Sequence, residues 1–555
     1  MLQEFQQKEK RLERILLCAI ALILGLQLHL QFVQKINWDE FYFLSLVHDY
    51  QRGDLAKPLQ TAHVHFFGWL KYMSPNEVNQ IIAARCIMFL LQIGTLVFIY
   101  KTARHFVSRQ GAAFTLLAYL GFGFIFIHGT SFRADPIATF FMCAATYMFV
   151  ALPLKLKSLS ALAVCLALGF LVTIKVVFYA PLFALLSIWR LRESEDVKAL
   201  FIKLSLCAFA AVILIALGYA LQSSLMPKAG LEGSQAMLSN AGRTTLLSGG
   251  LFPRGVIIKQ HFLLGLVSAG LMGTGVFYLL RDFFKGGPDA KNTALLLGMG
   301  LPLLSLIIYR NAFPYYFAFI FPTAILWAGY AIDKMPKMRL LTGVLAVLII
   351  VNIGLQYTQR LTQTHKVQKA TLEELHRMSQ VPVNYFDRSA MLASFPKSGF
   401  FMSSWGVQNY LSRGEAVFQR DLEAGIVPLV INNSPEIAKA LNPEEGDSLL
   451  LEEDQLAVRH NYVQHWGHIW IAGKSLAVSR QEVTSGILVP GNYRLSSQAP
   501  VSINGNKYSM GDEVFLKRGP LSVSSEQPQK ITLRWAAFPL PPETAAPSQP
   551  LFTTF

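Results

Sequence analysis

The stretch INWDEFYFLSLVHDYQRGDLAKPLQTAHVHFFGWL, residues 36–70, directly follows a run of about twenty apolar residues. Such a run is long enough to cross the hydrocarbon core of a bilayer as one helix. The stretch after it carries two adjacent carboxylates, Asp39 and Glu40, two histidines one residue apart, His63 and His65, and a series of aromatic residues. A connection that only joins two helices needs none of these side chains, so the pattern indicates a functional loop beside the first membrane span.

The composition is that of a membrane protein. The 555 residues are 53% hydrophobic and only 15% charged, which is too apolar for an ordinary soluble protein. The net charge of +15 arises before residue 358, because residues 358–555 hold 18 basic and 18 acidic side chains. Basic residues between apolar segments usually set the orientation of a membrane protein. The positive charge therefore indicates a membrane protein and argues against a nucleic-acid partner. The five cysteines have no metal-binding spacing.

Eleven apolar runs have a length near that of a membrane span. They are 14–33, 81–100, 111–129, 135–153, 158–174, 176–190, 200–221, 259–280, 292–308, 314–332 and 339–357. Basic residues are denser on the side of the N-terminus, and the positive-inside rule places that side in the cytoplasm. We therefore predict an α-helical polytopic membrane domain of about 11 spans over residues 1–357, with a cytoplasmic N-terminus and an outer C-terminal domain.

The polar C-terminal third is predicted to fold as a soluble domain. In residues 358–480, apolar segments typical of strands (VPVNYFD, GFFMSSW, IVPLVINN and HIWIAG) alternate with helical segments (TLEELHRM and PEIAKALN), an α/β pattern. Residues 481–540 show short strands with turn signals, which indicates a β-rich appendage. The tail 541–555 is Pro-rich and is predicted to be disordered.

Polar residues that interrupt the apolar pattern collect at the predicted outer face. They are Asp39, Glu40, His63, His65, Arg85, Arg133, Asp135, Lys175, Arg243, Arg254, Arg310, Tyr315 and Tyr316. A charge at membrane depth costs several kcal/mol unless it is paired, so such residues are usually paired or functional. A ring of carboxylates and cations suits the binding of an anionic lipid-linked substrate while a base acts on a hydroxyl.

Four stretches in order resemble the GT-C-type membrane glycosyltransferases. They are WDEFYFL…GDL…HVHFFGWL after the first span, SFRADPIATFFMCAATYMF, LGFLVTIKVVFYAPLFALL and YRNAFPYYFAFIFPTAILWAGY. More narrowly, they are similar to the bacterial protein-mannosyltransferase-like and aminoarabinose-transferase-like group. The similarity covers roughly residues 10–360.

The resemblance implies transfer of a sugar from a polyprenyl-phosphate donor to a hydroxyl or amine acceptor. It implies Asp39 as the general base, because Asp39 matches the family's first carboxylate, and Asp135 as a second carboxylate that faces the cavity. Glu40 either orients the acceptor or complements the dipole at the start of its helix. Asp135 is otherwise a helix-start carboxylate neutralised by its neighbour Arg133, a residue that we also expect near the donor phosphate.

Cations are expected to bind the leaving phosphate. Lys175 is either a phosphate contact or a side chain that extends to the membrane interface. Arg310 can clamp a phosphate with its planar guanidinium, and Tyr315 and Tyr316 are candidate substrate-binding residues beside it. Alternatively, all three residues anchor the chain at the membrane interface. Arg254, with Arg243 in the same glycine-rich loop, is either a phosphate contact or a plain surface residue.

His63 and His65 depart from the family, whose aminoarabinose-transferase members often have a Lys-Pro-Pro stretch here. On a strand, the two imidazoles would share one face and could contact a divalent metal or a phosphate. Two histidines are too few ligands for a metal, so Asp39 or Glu40 would have to join them. The two interpretations of the histidines are therefore a divalent metal site, which would be the one cofactor of the protein, and polar packing under the loop.

The leading interpretation is a glycosyltransferase of the bacterial inner membrane that moves a sugar from a polyprenyl-phosphate donor. Its acceptor would be lipid A, lipopolysaccharide core, another envelope glycan or a protein, with inversion at the anomeric carbon as the resemblance implies. The alternative is a transporter or flippase for a lipid-linked substrate, whose charges should lie near the membrane midplane between paired halves. A third interpretation is an inactive relative that acts as a scaffold.

Overall fold

The structure, a computed structural model, describes residues 2–226, 250–286, 290–335 and 339–553. The chain forms two compact units. Unit 1 comprises Met1–Gln34, Tyr50–Trp69 and Ile82–Thr364, and unit 2 comprises Lys35–Asp49, Leu70–Ile81 and His365–Phe555. The segment that carries Asp39 and Glu40 is therefore packed with the C-terminal residues of the chain.

Helices dominate the described residues before position 365. They are α1 (Leu2–Val33), α2 (Trp38–Arg52), α3 (His63–Phe67), α4 (Glu77–Phe106), α5 (Arg109–Leu120), α6 (Gly123–His128), α7 (Ala134–Ala151), α8 (Leu156–Val172), α9 (Ala180–Glu193), α10 (Val197–Ser224), α11 (Gly255–Leu264), α12 (Leu266–Phe284), α13 (Ala290–Gly298), α14 (Ser305–Ile308), α15 (Tyr316–Ala324), α16 (Leu326–Lys334) and α17 (Arg339–Leu361). Short 3₁₀ turns cover Gly68–Tyr72, Ile174–Tyr179 and Leu301–Leu304.

All eleven predicted apolar runs are helical, but not all of them are single long helices. In the described ranges, eight helices are long and apolar enough to cross a membrane, and a bent pair makes up to nine. The bent pair is α11 and α12, which meet at 98° around Gly265, where an added Cβ would lie 2.3 Å from the ring of Phe122. Two runs fall short of the test because α8 has 17 residues and the run 111–129 is split into α5 and α6. The chain is a multi-pass membrane protein.

Unit 2 contains the strands and the remaining helices. The helices are α18 (Lys366–Met378), α19 (Ser404–Arg413), α20 (Val417–Ala424), α21 (Pro435–Leu441) and α22 (Glu452–Asn461), with a 3₁₀ turn at Pro443–Glu445. The strands are β1 (Tyr385–Phe386), β2 (Lys397–Ser398), β3 (Leu429–Ile431), β4 (Tyr462–Trp466), β5 (Ile469–Val478), β6 (Val483–Ile487), β7 (Gly491–Ser496), β8 (Val501–Ile503), β9 (Asn506–Tyr508), β10 (Glu513–Leu516), β11 (Gly519–Ser525) and β12 (Gln529–Trp535).

One eight-stranded sheet joins the α/β part of unit 2 to its β-rich part. Its order is β10-β7-β12-β5-β3-β1-β2, with β4 paired to β5, and β1 runs parallel to β2 and β3. The ten-residue strand β5 makes the connection, because it pairs with β3 and β4 and also with β12. Strands β6, β11, β8 and β9 form a second, four-stranded sheet. The sheet is thus continuous across residue 480.

Most of the local predictions for the C-terminal third are confirmed. VPVNYFD and IVPLVINN contain β1 and β3, HIWIAG covers the first half of β5, and the two helical segments lie in α18 and α21. The predicted strand GFFMSSW is wrong, because Ser403 accepts a hydrogen bond from the Gly406 N–H and so caps α19.

The Pro-rich tail forms no regular secondary structure over its described residues, and side chains of unit 2 bind its carbonyls up to residue 551. Trp466 Nε1 donates to the Thr544 carbonyl at 3.0 Å, and Gln368 Nε2 donates to the Leu551 carbonyl at 2.9 Å. Proline removes backbone donors but leaves carbonyl acceptors, so these side chains hold the tail without a sheet.

Candidate functional site: cations around a buried aspartate

Asp135 lies in the first turn of α7 and is only 1% exposed. Its Oδ1 atom is 2.6 Å from Lys175 Nζ, and its Oδ2 atom is 3.4 Å from Arg133 Nε. Pro136 follows within the first helical turn, where the missing N–H of proline has no cost. A buried carboxylate at membrane depth is strongly unfavourable alone, and these two cations compensate its charge.

Lys175 reaches Asp135 because the chain is not α-helical where the lysine lies. The 3₁₀ turn Ile174–Tyr179 separates α8 from α9, and Thr173 caps that turn by accepting from the Lys175 N–H at 3.4 Å. Thr173 Oγ1 also bonds Gln60 Oε1 at 3.2 Å. The lysine side chain therefore turns inward to a carboxylate forty residues away in sequence.

Two tyrosines at the start of α15 pack against the same cations. The Arg133 guanidinium lies 3.4 Å from the ring centroid of Tyr315, and Lys175 Nζ lies 5.1 Å from it. Lys175 Nζ is also 5.9 Å from the Tyr316 ring, and the Tyr316 hydroxyl donates to Ser305 Oγ at 2.7 Å. Cations over aromatic faces are held by electrostatic attraction to the ring. The tyrosines thus fix Arg133 and Lys175 from a second direction.

A second pair of cations, Arg254 and Arg310, meets at the loop between α14 and α15, to which Arg310 itself belongs. Arg254 Nε donates to the carbonyl of Arg310 at 2.9 Å, and its guanidinium lies 4.4 Å from the Phe313 ring. Burial lowers the pKa of Arg254, and the neighbouring charge of Arg310 lowers it further, whereas Tyr315 raises it. Phe313 stacks on Tyr315 at 6.1 Å between ring centroids. The loop that joins α14 to α15 therefore connects the two pairs.

Within unit 1, the sequence-predicted residues thus divide into a cluster and outlying positions. Four cations from distant parts of the chain, Arg133, Lys175, Arg254 and Arg310, are associated with the loop 309–316. Lysine has three N–H donors and arginine has five, so each can bind a phosphate oxygen in addition to a protein acceptor. Arg243 lies outside the described residues.

The two histidines do not share a face. His63 and His65 belong to the short helix α3, not to a strand, and His63 is buried whereas His65 is exposed. Residues two apart on a helix point in different directions, so the predicted strand geometry is wrong. His63 packs edge-on to Phe132, and His65 packs edge-on to Tyr50. In the described ranges, no group of three or more His, Cys, Asp or Glu side chains is placed to hold a metal ion.

Arg85 fixes the end of a helix within unit 1. It is 1% exposed, and its Nη1 atom donates to the carbonyls of Gln31 and Gln34 at 3.4 and 3.3 Å. These carbonyls belong to the last turn of α1 and the residue after it, where intrahelical partners are missing. Arg85, one of the polar residues predicted at the outer face, therefore caps the C-terminal end of α1.

Asp39 and Glu40 lie at the start of α2, in unit 2. Asn37 Oδ1 accepts from the Asp39 N–H at 3.0 Å, and Glu40 Oε2 accepts from the Asn37 N–H at 3.1 Å. These two bonds cap the start of α2 in a variant of the capping box, in which Asn37 binds the N–H of the second helical residue instead of the third. Glu40 is 1% exposed, whereas Asp39 is half-buried. The helix-start role that was one of the two interpretations of Glu40 is therefore present in the structure.

In each unit, residues that the sequence did not single out contact the predicted site residues or their neighbours. Ser305 binds the hydroxyl of Tyr316, and Phe313 covers Arg254. In unit 2, the Arg388 guanidinium lies over the ring of Trp38, next to Asp39. The available signal for Arg388 was its position directly after a buried strand in FDRSA, because polar residues at the ends of parallel strands often form sites.

Comparisons with known proteins give matches among solved structures alone. No family model matches the chain, and no curated protein matches it. ArnT from Cupriavidus metallidurans bound to undecaprenyl phosphate matches with a TM-score of 0.54 and 12% identity, over 79% of this chain and 96% of that one. The archaeal oligosaccharyltransferase AglB from Archaeoglobus fulgidus, in complex with an inhibitory peptide and a dolichol-phosphate, matches with a TM-score of 0.52 and 10% identity, over 93% of this chain and 95% of that one.

At these identities the likeness shows the fold. The chain shares the fold of these two solved structures, and in this chain a polytopic helical part is followed by a sheet-containing C-terminal part. The predicted fold class is confirmed.

Proposed function

We propose that this protein transfers a sugar from a polyprenyl-phosphate donor to an acceptor at a membrane surface. The observation that carries the proposal is the placement of Arg133 and Lys175 on the buried carboxylate of Asp135, with Tyr315 packed against both cations. Arg254 and Arg310 lie beside the same loop. A lipid phosphate requires this kind of environment, because its charge enters a region with little water.

The fold likeness supports the same class of donor. Two of the matching structures hold a polyprenyl-type phosphate, undecaprenyl phosphate in one and dolichol-phosphate in the other. The four cations of unit 1 belong to separate helices and loops, so a phosphate bound by them would be contacted from several directions. The role proposed for them is to stabilise the negative charge that grows on the leaving phosphate.

The proposed chemistry is a direct displacement at the anomeric carbon of the donor sugar. The acceptor oxygen attacks that carbon while its proton passes to the carboxylate of Asp39. The bond between the anomeric carbon and the phosphate oxygen breaks, and its electron pair leaves with the polyprenyl phosphate. One displacement inverts the configuration, and no covalent enzyme intermediate is formed. A base in hydrogen-bond reach typically contributes about 10²–10⁴-fold to such a step.

The proposed acceptor is an envelope molecule, namely lipid A, lipopolysaccharide core, another glycan or a protein. The proposed location is the bacterial inner membrane, with the N-terminus in the cytoplasm and unit 2 on the outer side. The higher density of basic residues on the N-terminal side of the apolar runs supports this orientation.

The test is transfer by the full-length protein in detergent from a panel of polyprenyl-phosphate sugars to lipid and glycan acceptors. Wild type is compared with Asp39→Asn and with Asp447→Asn, a change at an exposed carboxylate of unit 2. We expect wild type and Asp447→Asn to transfer, and Asp39→Asn to lose activity by about 10²-fold or more. Equal transfer by Asp39→Asn would overturn the assignment of the base.

The same preparation separates the enzyme from a transporter. Wild type is reconstituted into vesicles that contain a fluorescent polyprenyl-phosphate lipid. If this lipid moves between leaflets and no sugar is transferred from any donor, the protein is a flippase and the proposed enzymatic function is wrong.

A further inference from the structure

The segment Lys35–Tyr42, which we call the acidic segment, is held in place by unit 2. Gln368, which is fully buried, accepts from the Ile36 N–H at 2.9 Å and donates to the Ile36 carbonyl at 2.8 Å. Lys35 Nζ donates to the Pro550 carbonyl at 2.8 Å. Both hydrogen-bonding groups of one backbone residue are thus fixed by a single side chain of α18.

Aromatic contacts fix the same segment further along the chain. Phe552 packs edge-on to Trp38 and to Phe41, with ring centroids 6.2 and 5.8 Å apart. Tyr42 stacks on Phe401 at 4.4 Å. Asp39 lies between these anchors, so its main chain is set by side chains from the C-terminal part of the sequence.

Arg388 is a cation of unit 2 that packs on Trp38, the residue before Asp39. It lies on the turn after β1, where its N–H donates to Asn433 Oδ1 at 2.8 Å and its carbonyl accepts from the Met402 N–H at 2.9 Å. Its guanidinium lies 4.3 Å from the ring centroid of Trp38. The backbone of this arginine is therefore fixed on both sides, and its charged end rests on the residue that precedes Asp39.

The charges around Arg388 support an electrostatic link to Asp39. Burial lowers the pKa of Arg388, and the carboxylate of Asp39 opposes this effect, followed by those of Glu436 and Asp387. Asp387 is itself fixed, because it accepts from the N–H groups of Ala390 and Met391 at 2.8 Å. Among these three carboxylates, Asp39 has the largest effect on the arginine.

We propose that Arg388 is a positioning residue for Asp39. Its guanidinium, placed by the turn after β1 and by the face of Trp38, orients the Asp39 carboxylate. The inference rests on the proposed function, in which Asp39 accepts the proton of the acceptor. The inference gives the C-terminal part of unit 2 a role in the transfer step, a role that the family resemblance does not imply.

The test uses the full-length protein and two substitutions that separate charge from shape. Arg388→Met keeps an apolar stem on Trp38 and removes the charge, whereas Arg388→Lys keeps the charge and loses the planar stack. Arg413→Met, at an exposed arginine of α19, is the matched control. We expect Arg388→Met to lower kcat about tenfold or more with the donor KM unchanged, Arg388→Lys to recover part of the loss, and the control to match wild type.

A double substitution decides whether Arg388 acts through Asp39. If it does, Asp39→Asn combined with Arg388→Met is no slower than Asp39→Asn alone, because the arginine then has no base to position. Additive losses in the double variant, or a higher donor KM in Arg388→Met, would overturn the positioning role. Unchanged kcat in Arg388→Met would overturn it too.

The outcomes distinguish this inference from the proposed function on which it rests. If wild type transfers no sugar, both the proposed function and the positioning role are wrong. If wild type and Arg388→Met transfer sugar with the same kcat, only the positioning role is wrong. Thermal unfolding of each variant is measured alongside, and if Arg388→Met does not fold, the kcat of Arg388→Lys decides between the two outcomes.

Discussion

Lys175 Nζ lies 2.6 Å from Asp135 Oδ1, which joins the first turn of α7 to the 3₁₀ turn between α8 and α9. Both side chains are removed from solvent, with 14% and 2% of their side-chain surface exposed. The ion pair therefore fixes the start of α7 relative to the turn between α8 and α9.

The first prediction concerns the stability of unit 1. Asp135→Asn keeps the shape of the side chain but leaves Lys175 and Arg133 without this counter-charge. Removing one partner of a buried pair typically costs about 3–5 kcal/mol. We expect a lower midpoint of thermal unfolding in detergent, and we expect Asp135→Asn combined with Lys175→Met to regain part of the loss. A midpoint equal to that of wild type in Asp135→Asn would show that the pair does not stabilise the unit.

The second prediction concerns the donor. Lys175→Met should weaken the stabilisation of the leaving phosphate, and removal of one such donor typically costs about 10²–10³-fold in rate. Lys175→Arg should lose less because it keeps the charge. Lys157→Met, at an exposed lysine near the start of α8, is the matched control.

A binding measurement checks the second prediction without reliance on catalysis. Added undecaprenyl phosphate should raise the thermal midpoint of wild type and of the Lys157→Met control, and it should raise that of Lys175→Met less. An equal rise in all three proteins would place the lipid phosphate elsewhere.

The third prediction separates Glu40 from Asp39. Glu40 accepts the N–H of Asn37 in the cap of α2, and glutamine can accept the same bond. Glu40→Gln should therefore keep both transfer and the thermal midpoint, whereas Glu40→Ala should lower the free energy of unfolding by about 1 kcal/mol. Loss of transfer in a stable Glu40→Gln variant would instead make Glu40 part of the chemistry.

The sequence predicted the class of fold because apolar length is a local property. Each of the eleven runs is helical in the structure, and the strand segments of the C-terminal third carry apolar residues that are buried there. Breaks inside apolar runs were harder to place. The run 111–129 looks continuous in composition, but the chain turns between α5 and α6. Tertiary packing decides such breaks, so a window of hydropathy does not reveal them.

The candidate site was predictable as a set of residues but not as a set of pairs. Asp135 and Lys175 interrupt apolar runs, and this marked them in the sequence. Their mutual contact depends on how α7 and α8 pack, which no local pattern encodes. The histidine pair failed for another reason. Five residues, His63–Phe67, are too few to distinguish the period of a helix from that of a strand.

The cap at the start of α2 shows a signal that sequence analysis can use. Asn37 and Glu40 are three residues apart directly before an apolar helix, which is the pattern of a capping box. The local signal for Arg388 is only its position after a buried strand, and this position does not reveal its partner Trp38, which is distant in the chain. The contact between Arg388 and Trp38 exists because the acidic segment folds together with residues 365–555 in unit 2. Only the three-dimensional structure shows it.

The last prediction is a dependence of stability on pH within unit 2. Glu77 is fully buried and accepts hydrogen bonds from Ser394 Oγ at 2.6 Å and from His376 Nε2 at 3.0 Å. Burial alone lowers the pKa of His376, but the hydrogen bond and the charge of Glu77 outweigh it, so the pKa is raised above its ordinary value. A histidine with a raised pKa in the folded state contributes stability that is fully present below its unfolded value, about 6.5.

This contribution should disappear as the pH rises through the raised pKa of His376. We expect wild type to exceed His376→Gln by about 1–3 kcal/mol in free energy of unfolding below pH ~6.5, because the bond is made to a charged group. The difference should shrink toward alkaline pH, where the neutral imidazole attracts Glu77 less. Unfolding of both full-length proteins in detergent between about pH 5.5 and 8.5 measures it. A difference that grows with pH would mean that His376 is bound to Glu77 in its neutral form.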